Sequence, residues 1–273
     1  MQIAGWRTGL WCLLPVLFAG CVSQDDLVYH PRTYVFAQSE IPVPARPISF
    51  ATSQGAEQSF FVPPRSGQLA SLWIFFPGNG SMALDWLHWV NQYPDASTGF
   101  LLIDYPGYGF SEGRPSAKAI LETSEKAFLT LAQSLGTDPG LLWRKTSVLG
   151  HSLGAATALQ FAAKYTPQRV VLVSPFTNLR AIGKSVLGAW VGPLVTNEYD
   201  NLVRIKELEN RNVPVYVIHG SADDIIPVEM GRELGRMFSW VDYQEVRGAS
   251  HNDMFDLGRA AILRSMRQQH PRS

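Results

Sequence analysis

From Pro47 onward, short apolar or β-rich runs alternate with longer stretches of helical pattern. The strand-like runs stand at 48–51, 59–62, 69–76, 100–103, 146–149, 169–173, 213–218 and 241–246, and the helical ones at 82–92, 116–135, 152–164, 228–238 and 251–266. The first strands lie close enough for an antiparallel hairpin. The later runs are nearly continuous in Val, Ile and Leu, as strands covered on both faces require. Such alternation predicts right-handed crossovers and an α/β fold, with a mostly parallel eight-stranded sheet and helices on both faces. In sheets of this kind ligands bind beyond the carboxyl ends of the strands, so chemistry is sought there.

One connection breaks the rhythm. The stretch between Val173 and Val213 is too long for a plain loop and contains the apolar run Ser185–Gly192. It predicts a small helical lid over about 177–212. Within it Val186, Leu187, Trp190 and Leu194 form either an apolar binding site or simply the lid's own core.

The first twenty residues differ from the rest. Arg7 is a positive flank, Gly9 to Phe18 is almost wholly apolar, and Ala19-Gly20-Cys21 brings small residues to a cysteine. The run is too short to span about 30 Å of hydrocarbon, so residues 1–20 read as a cleaved signal peptide. Leu17-Phe18-Ala19-Gly20-Cys21 resembles a bacterial lipoprotein box, which implies acylation of Cys21. Val22 then favours an outer-membrane address facing the periplasm. The alternative is an ordinary signal peptide with Cys21 left as a thiol. Cys12 and Cys21 are the only cysteines, so cleavage and acylation would leave the mature domain without a free thiol or disulfide. Residues 21–46, with Pro31, Pro42 and Pro44, read as a tether that gradually joins the domain. The alternating strand and helix pattern fills 47–273.

Composition narrows the partners. Twenty-three basic and 23 acidic side chains leave no formal net charge, so nothing points to nucleic acid. No His/Cys/Asp cluster has metal-ligand spacing, and no glycine fingerprint for a phosphate or dinucleotide is present, so no cofactor is expected.

Gly150-His151-Ser152-Leu153-Gly154 joins the apolar run 146–149 to an alanine-rich helix. It fits Gly-x-Ser-x-Gly, a corner in which a strained serine projects at the head of the sheet. The glycines let strand and helix backbones pass closely, and the helix N-terminus faces developing negative charge. A serine hydroxyl needs a base, and the base an orienting acid, arriving in this architecture in the order serine, acid, histidine. The run 213–218 ends in His219-Gly220-Ser221-Ala222-Asp223-Asp224, and the run 241–246 leads to His251, which is expected to open the last helix. His219 is expected to brace the turn beside the acid.

Together, Gly150–Gly154, His219–Pro227 and Gly248–Asn252 resemble the α/β-hydrolase superfamily, closest to its small-lid serine hydrolases with a His-Gly-Asn oxyanion motif. Asp104–Gly113 and Ser174–Asn178 are similar to loops of that branch. The resemblance implies Ser152 as nucleophile, His251 as base and Asp223, four residues before Pro227, as acid, with Asp224 the alternative. It implies two backbone donors for the oxyanion. One is the N–H of Leu153; the other, on Phe75–Ser81, is Asn79 with Gly80 in reserve. Pro77 stands where that motif has histidine.

The activity so implied is hydrolysis of a carboxylic ester or thioester through an acyl-enzyme, on a small-molecule or lipid-like acyl substrate. A peptidase or an acyltransferase could use the same groups. A non-catalytic hydrolase-fold binding protein is a third reading, against which every triad position is filled.

Overall fold

Along one strand, Ser71–Phe76, successive side chains enter two different cores: Leu72, Ile74 and Phe76 on one face, Trp73 and Phe75 on the other. This period of two places the strand in the middle of a sheet covered on both sides. The computed structural model describes residues 24–187, 196 and 198–267. Its strands are β1 (Arg46–Thr52), β2 (Gly55–Val62), β3 (Ser71–Phe76), β4 (Thr98–Leu102), β5 (Thr146–His151), β6 (Val170–Val173), β7 (Val215–Gly220) and β8 (Asp242–Val246). They make one eight-stranded sheet in the order β1-β2-β4-β3-β5-β6-β7-β8. β1 with β2 and β2 with β4 are antiparallel, and all later pairs are parallel. The expected fold class and the early hairpin are therefore present.

The helices are α1 (Gln24–Val28), α2 (Leu87–Asn91), α3 (Ala117–Ser134), α4 (Pro139–Trp143), α5 (Leu153–Tyr165), α6 (Leu179–Leu187), α7 (Asn201–Glu209), α8 (Val228–Met237), α9 (Met254–Leu257) and α10 (Arg259–Arg267). Phe128 and Leu131 of α3, Leu159 and Phe161 of α5, Leu208 of α7 and Leu234 of α8 fill one core. Trp89 of α2, Phe255 of α9 and Ile262 of α10 fill the other. Capping follows the sequence: Ser116 Oγ accepts the Ala119 N–H at 3.1 Å, and Asp138 accepts that of Leu141 at 3.0 Å, with Pro139 at the first helical position.

Four expectations change. The helix expected over 82–92 is a 3₁₀ turn at Ala83–Trp86 followed by α2. The terminal helix is divided into α9 and α10. A Cβ at Gly258 would lie 2.5 Å from the Met254 carbonyl, the group that accepts its own N–H at 2.9 Å, so the last turn of α9 closes tightly at that break. His251 consequently stands in the turn before α9 and does not open a helix. Finally, the second half of the expected lid covers the sheet instead. α7 packs on α5, with Ile205 and Leu208 fully buried in the core of that face. The side chains of Val186, Leu187, Trp190 and Leu194 lie outside the described residues.

Residues 24–46, read as a tether, are laid along the domain. Tyr29 is buried with its hydroxyl 2.9 Å from that of Tyr199, and Thr33 pairs with Gly109. Residues 1–20 and Cys21 lie outside the described residues.

Candidate active site

The corner after β5 is built by close approach. A Cβ at Gly150 would lie 2.2 Å from the Gly154 carbonyl, and one at Gly154 2.0 Å from the Phe76 carbonyl. Real side chains cannot stand so near backbone, so only glycine lets α5 leave β5 across the end of β3. Between them Ser152 takes φ 57°, ψ −121°, a conformation rarely populated by residues with a side chain. Its N–H is held by the Val173 carbonyl at 2.9 Å. Leu153 then begins α5, so its N–H belongs to the first turn, whose N–H groups have no partner within the helix.

Two other strand ends supply the partners. Asp223 follows β7 and His251 follows β8, and β7 lies beside both β6 and β8. His251 Nδ1 lies 2.8 Å from Asp223 Oδ2 and 3.0 Å from Oδ1. A carboxylate there can only accept, so the Nδ1 proton is fixed and Nε2 is left as the basic nitrogen. The Asp223 side chain is fully buried, and its Oδ1 accepts the N–H groups of Ile225 at 3.0 Å and Ile226 at 2.8 Å. Burial alone would raise its pKa, but hydrogen bonds from His219 and His251, the His251 charge and the Ile226 N–H together hold it well below the usual carboxylate range. Asp224 is exposed, so the geometry selects Asp223.

His219 does brace this turn. Its Nε2 donates to the Ile226 carbonyl at 2.9 Å and lies 3.3 Å from Asp223 Oδ2. Gly231 of α8 makes room for the ring, since a Cβ there would stand 2.5 Å from His219 Nδ1.

The structure brings Asp223 and His251 into contact. Among the described residues no hydrogen bond joins Ser152 Oγ to His251, a pairing that often tightens only when substrate is present. His151, one of the motif's two variable positions, packs against His251. Its ring centroid is 4.8 Å from that of His251, and Trp86 and Phe255 enclose it at 5.8 and 5.4 Å. Neither ring nitrogen of His151 has a partner. Burial, with the nearby His251 charge, lowers its pKa to about 3, so it is a neutral ring at ordinary pH. Nothing in the sequence singled it out, because a variable position within a motif carries no pattern of its own.

The loop after β3 closes the site from the other side. A Cβ on Gly78 would lie 3.1 Å from His151 Nδ1 and 3.4 Å from Ser152 Cβ, so this loop rests on the corner itself. Its turn is pinned by Ser81 N–H to the Gly78 carbonyl at 3.2 Å, with Gly80 at φ 69°. Position three of such a turn requires positive φ, which accounts for glycine there. Tyr105 donates to the Pro77 carbonyl at 2.7 Å. The Tyr108 hydroxyl accepts the His30 N–H at 3.0 Å and donates to Asn79 Oδ1 at 2.9 Å, so it too holds this loop.

Away from this site, Ser111 exchanges hydrogen bonds with the Gln58 backbone, and His88 is exposed beside Gln92. Among the described residues there is no group of His, Cys, Asp and Glu that could hold a metal ion, and no helix long and apolar enough to cross a membrane.

An alpha/beta hydrolase family model matches residues 73–205. An uncharacterized protein of Mycobacterium tuberculosis is 34% identical over 169 residues, 62% of this chain and 58% of that protein. Human alpha/beta hydrolase domain-containing protein 17B is 32% identical over 152 residues, 55% of this chain and 49% of that protein. The chain thus spans 58% and 49% of the length of these two relatives. Among solved structures, an esterase of Pyrococcus furiosus superposes with a TM-score of 0.64 at 16% identity, over 88% of this chain and 97% of that one. A serine hydrolase without lid from Xanthomonas campestris superposes with a TM-score of 0.59 at 15% identity, over 85% and 98%.

Proposed function

Because this chain belongs to the α/β-hydrolase superfamily, with a serine corner and an acid–histidine pair at one end of its sheet, we propose that it is a serine hydrolase of carboxylic esters or thioesters. The observation that carries this is the bond from His251 Nδ1 to buried Asp223, at 2.8 Å, made by two loops that the sheet sets beside the strained Ser152. With Nδ1 committed to Asp223, Nε2 is the nitrogen of His251 left for the base role in this reading.

In this reading Ser152 Oγ attacks the acyl carbon while His251 Nε2 takes its proton. The carbonyl oxygen becomes an oxyanion held by the Leu153 and Asn79 N–H groups. Collapse breaks the bond to the leaving oxygen or sulfur, which receives the proton from Nε2. Water, deprotonated by the same nitrogen, attacks the acyl-enzyme, and the proton returns to Ser152 Oγ as the carboxylic acid leaves. Asp223, kept ionised, orients the ring and stabilises its cationic form. We also assign Cys21 as the acylated residue that would hold the enzyme to the periplasmic face of a bacterial outer membrane. Loss of metabolic lipid labelling on Cys21→Ser is the check.

The decisive test is labelling by a fluorophosphonate probe, beside Ser152→Ala. Labelling of the wild type alone supports the assignment. Equal labelling of both proteins places the nucleophile elsewhere, and no labelling of a folded wild type overturns the reading.

A further inference from the structure

The side chain of Asn79 uses its full hydrogen-bonding capacity, and nearly all of it on the segment before the sheet. Its Oδ1 accepts the His30 N–H at 2.9 Å and the Tyr108 hydroxyl at 2.9 Å. Its Nδ2 donates to the Val28 carbonyl at 2.6 Å and lies 3.2 Å from His30 Nδ1. A backbone N–H can only donate and a carbonyl only accept, so these partners fix which way the amide faces. Next along the chain, Arg32 Nη1 donates to the Gly80 carbonyl at 2.9 Å, and the Arg32 carbonyl accepts the Gly109 N–H at 2.8 Å. Residues 28–32 thus hold two consecutive residues of the turn that carries the second oxyanion donor.

That turn needs holding. It contains Gly78 and Gly80, residues that restrict the backbone least. An oxyanion donor must stand within about 2.7–3.1 Å of the developing charge, so small displacements forfeit its effect. Tyr105 fixes the loop only at Pro77. Beyond that point the turn has its own Ser81–Gly78 bond and Trp86 Nε1 on Ser81 Oγ at 2.8 Å, while Asn79 and Gly80 themselves are held by Tyr108 and the 28–32 segment.

We propose that Val28–Arg32 is a positioning element of the oxyanion hole, gripping the Asn79 side chain so that the Asn79 N–H stays aimed at the reacting carbonyl. This rests on the serine-hydrolase reading and adds to it: the segment that leads toward Cys21 is part of the catalytic apparatus rather than a spacer. Asn79 acts twice, its backbone as donor and its side chain as handle.

Three full-chain variants test this. Asn79→Ala removes the handle but keeps the backbone N–H. Asn79→Asp keeps both acceptor contacts and loses the donation to Val28. His30→Pro deletes the N–H from the other partner. Each is assayed on an acyl ester after titration of active sites, with the Ki of an alkyl boronic acid measured in parallel. The expected result for Asn79→Ala is a fall in kcat of about 10²-fold with KM nearly unchanged. His30→Pro should fall similarly and Asn79→Asp less. The boronate Ki should rise by the same factor as kcat/KM falls, a correlation that loss of folded protein would not produce. If the wild type hydrolyses ester and Asn79→Ala and His30→Pro keep kcat within about twofold, the strap is refuted and the hydrolase reading stands. A drop in thermal stability with kcat per titrated site unchanged refutes it equally. A folded wild type with neither ester hydrolysis nor probe labelling refutes the hydrolase reading itself, and the strap with it.

Discussion

The imidazoles of His151 and His251 lie face against face, centroids 4.8 Å apart and planes 35° from parallel. Two adjacent histidines could share the acid limb of a pH profile. Here they do not, because His151 has no partner for either nitrogen and burial holds its pKa down to about 3. Above about pH 4, His151 should therefore add no proton of its own to the acid side of log kcat/KM, and the slope there should not exceed one. A slope of two would show that His151 takes up a proton with its neighbour.

Asp223 and Asp224 are adjacent in sequence and opposite in environment. The first is buried on His251, the second exposed. Asp223→Asn keeps the shape but can present its amide N–H₂ to Nδ1, favouring the wrong tautomer. A loss in kcat of about 10⁴-fold is expected, against less than about threefold for Asp224→Asn. Steady-state kinetics of the two variants, side by side, give the answer. Comparable losses would mean that the acid is not Asp223 alone.

Glycine to alanine should have unequal effects at two positions. At Gly154 the new Cβ would press on the Phe76 and Pro77 carbonyls from 2.0 and 2.4 Å, forcing β3 and the oxyanion loop away from α5. Destabilisation of about 3 kcal/mol and loss of probe labelling are expected. At Gly136, φ 60° with nothing within 4 Å, the cost is conformational only, about 1 kcal/mol, with labelling intact. Urea denaturation and labelling of both variants decide it. A tolerated Gly154→Ala would mean that strand and helix are less tightly apposed than these distances require.

The order Ser152, Asp223, His251 was legible because each stands after a strand whose apolar run is itself legible, and the sheet does the positioning. The eight-stranded sheet could be read for the same reason: Val170–Val173 is apolar throughout and buried on both faces. The grip on Asn79 could not be read. Its partners include the Val28 carbonyl and the His30 N–H, and backbone groups are the same for every residue type. The break at Gly258 was hidden because Met254–Met266 keeps helical spacing of apolar positions across it, and the cause is the tight closing of the last turn of α9. In sequence α7 reads as part of the lid, because Ile205 and Leu208 have the same pattern whether a helix covers a sheet or a cleft. Only tertiary packing distinguishes the two.

Asp104, just beyond β4, gives the molecule a stability that depends on pH. It is almost wholly buried, accepting the Ala83 N–H at 2.7 Å and the Tyr34 hydroxyl at 2.8 Å, and the nearby charge is Asp85. Burial raises its pKa from 3.8 to about 7, with those two hydrogen bonds opposing the rise. The folded state therefore binds this proton more tightly than the unfolded chain. Where the folded state holds more protons, stability falls as pH rises. The decline runs from about pH 4 to about pH 7 and is complete above it, at most about 4 kcal/mol for a shift of this size. Asp104→Asn keeps an acceptor for the Ala83 N–H and carries no charge at any pH. Urea denaturation at about pH 5.5 and about pH 8.5 should show the wild type losing more stability than Asp104→Asn over that interval. The two proteins should differ most at the higher pH, with Asp104→Asn the more stable relative to its own value at pH 5.5. Parallel profiles for both would mean that Asp104 is ionised in the folded protein throughout, with its two donors outweighing its burial.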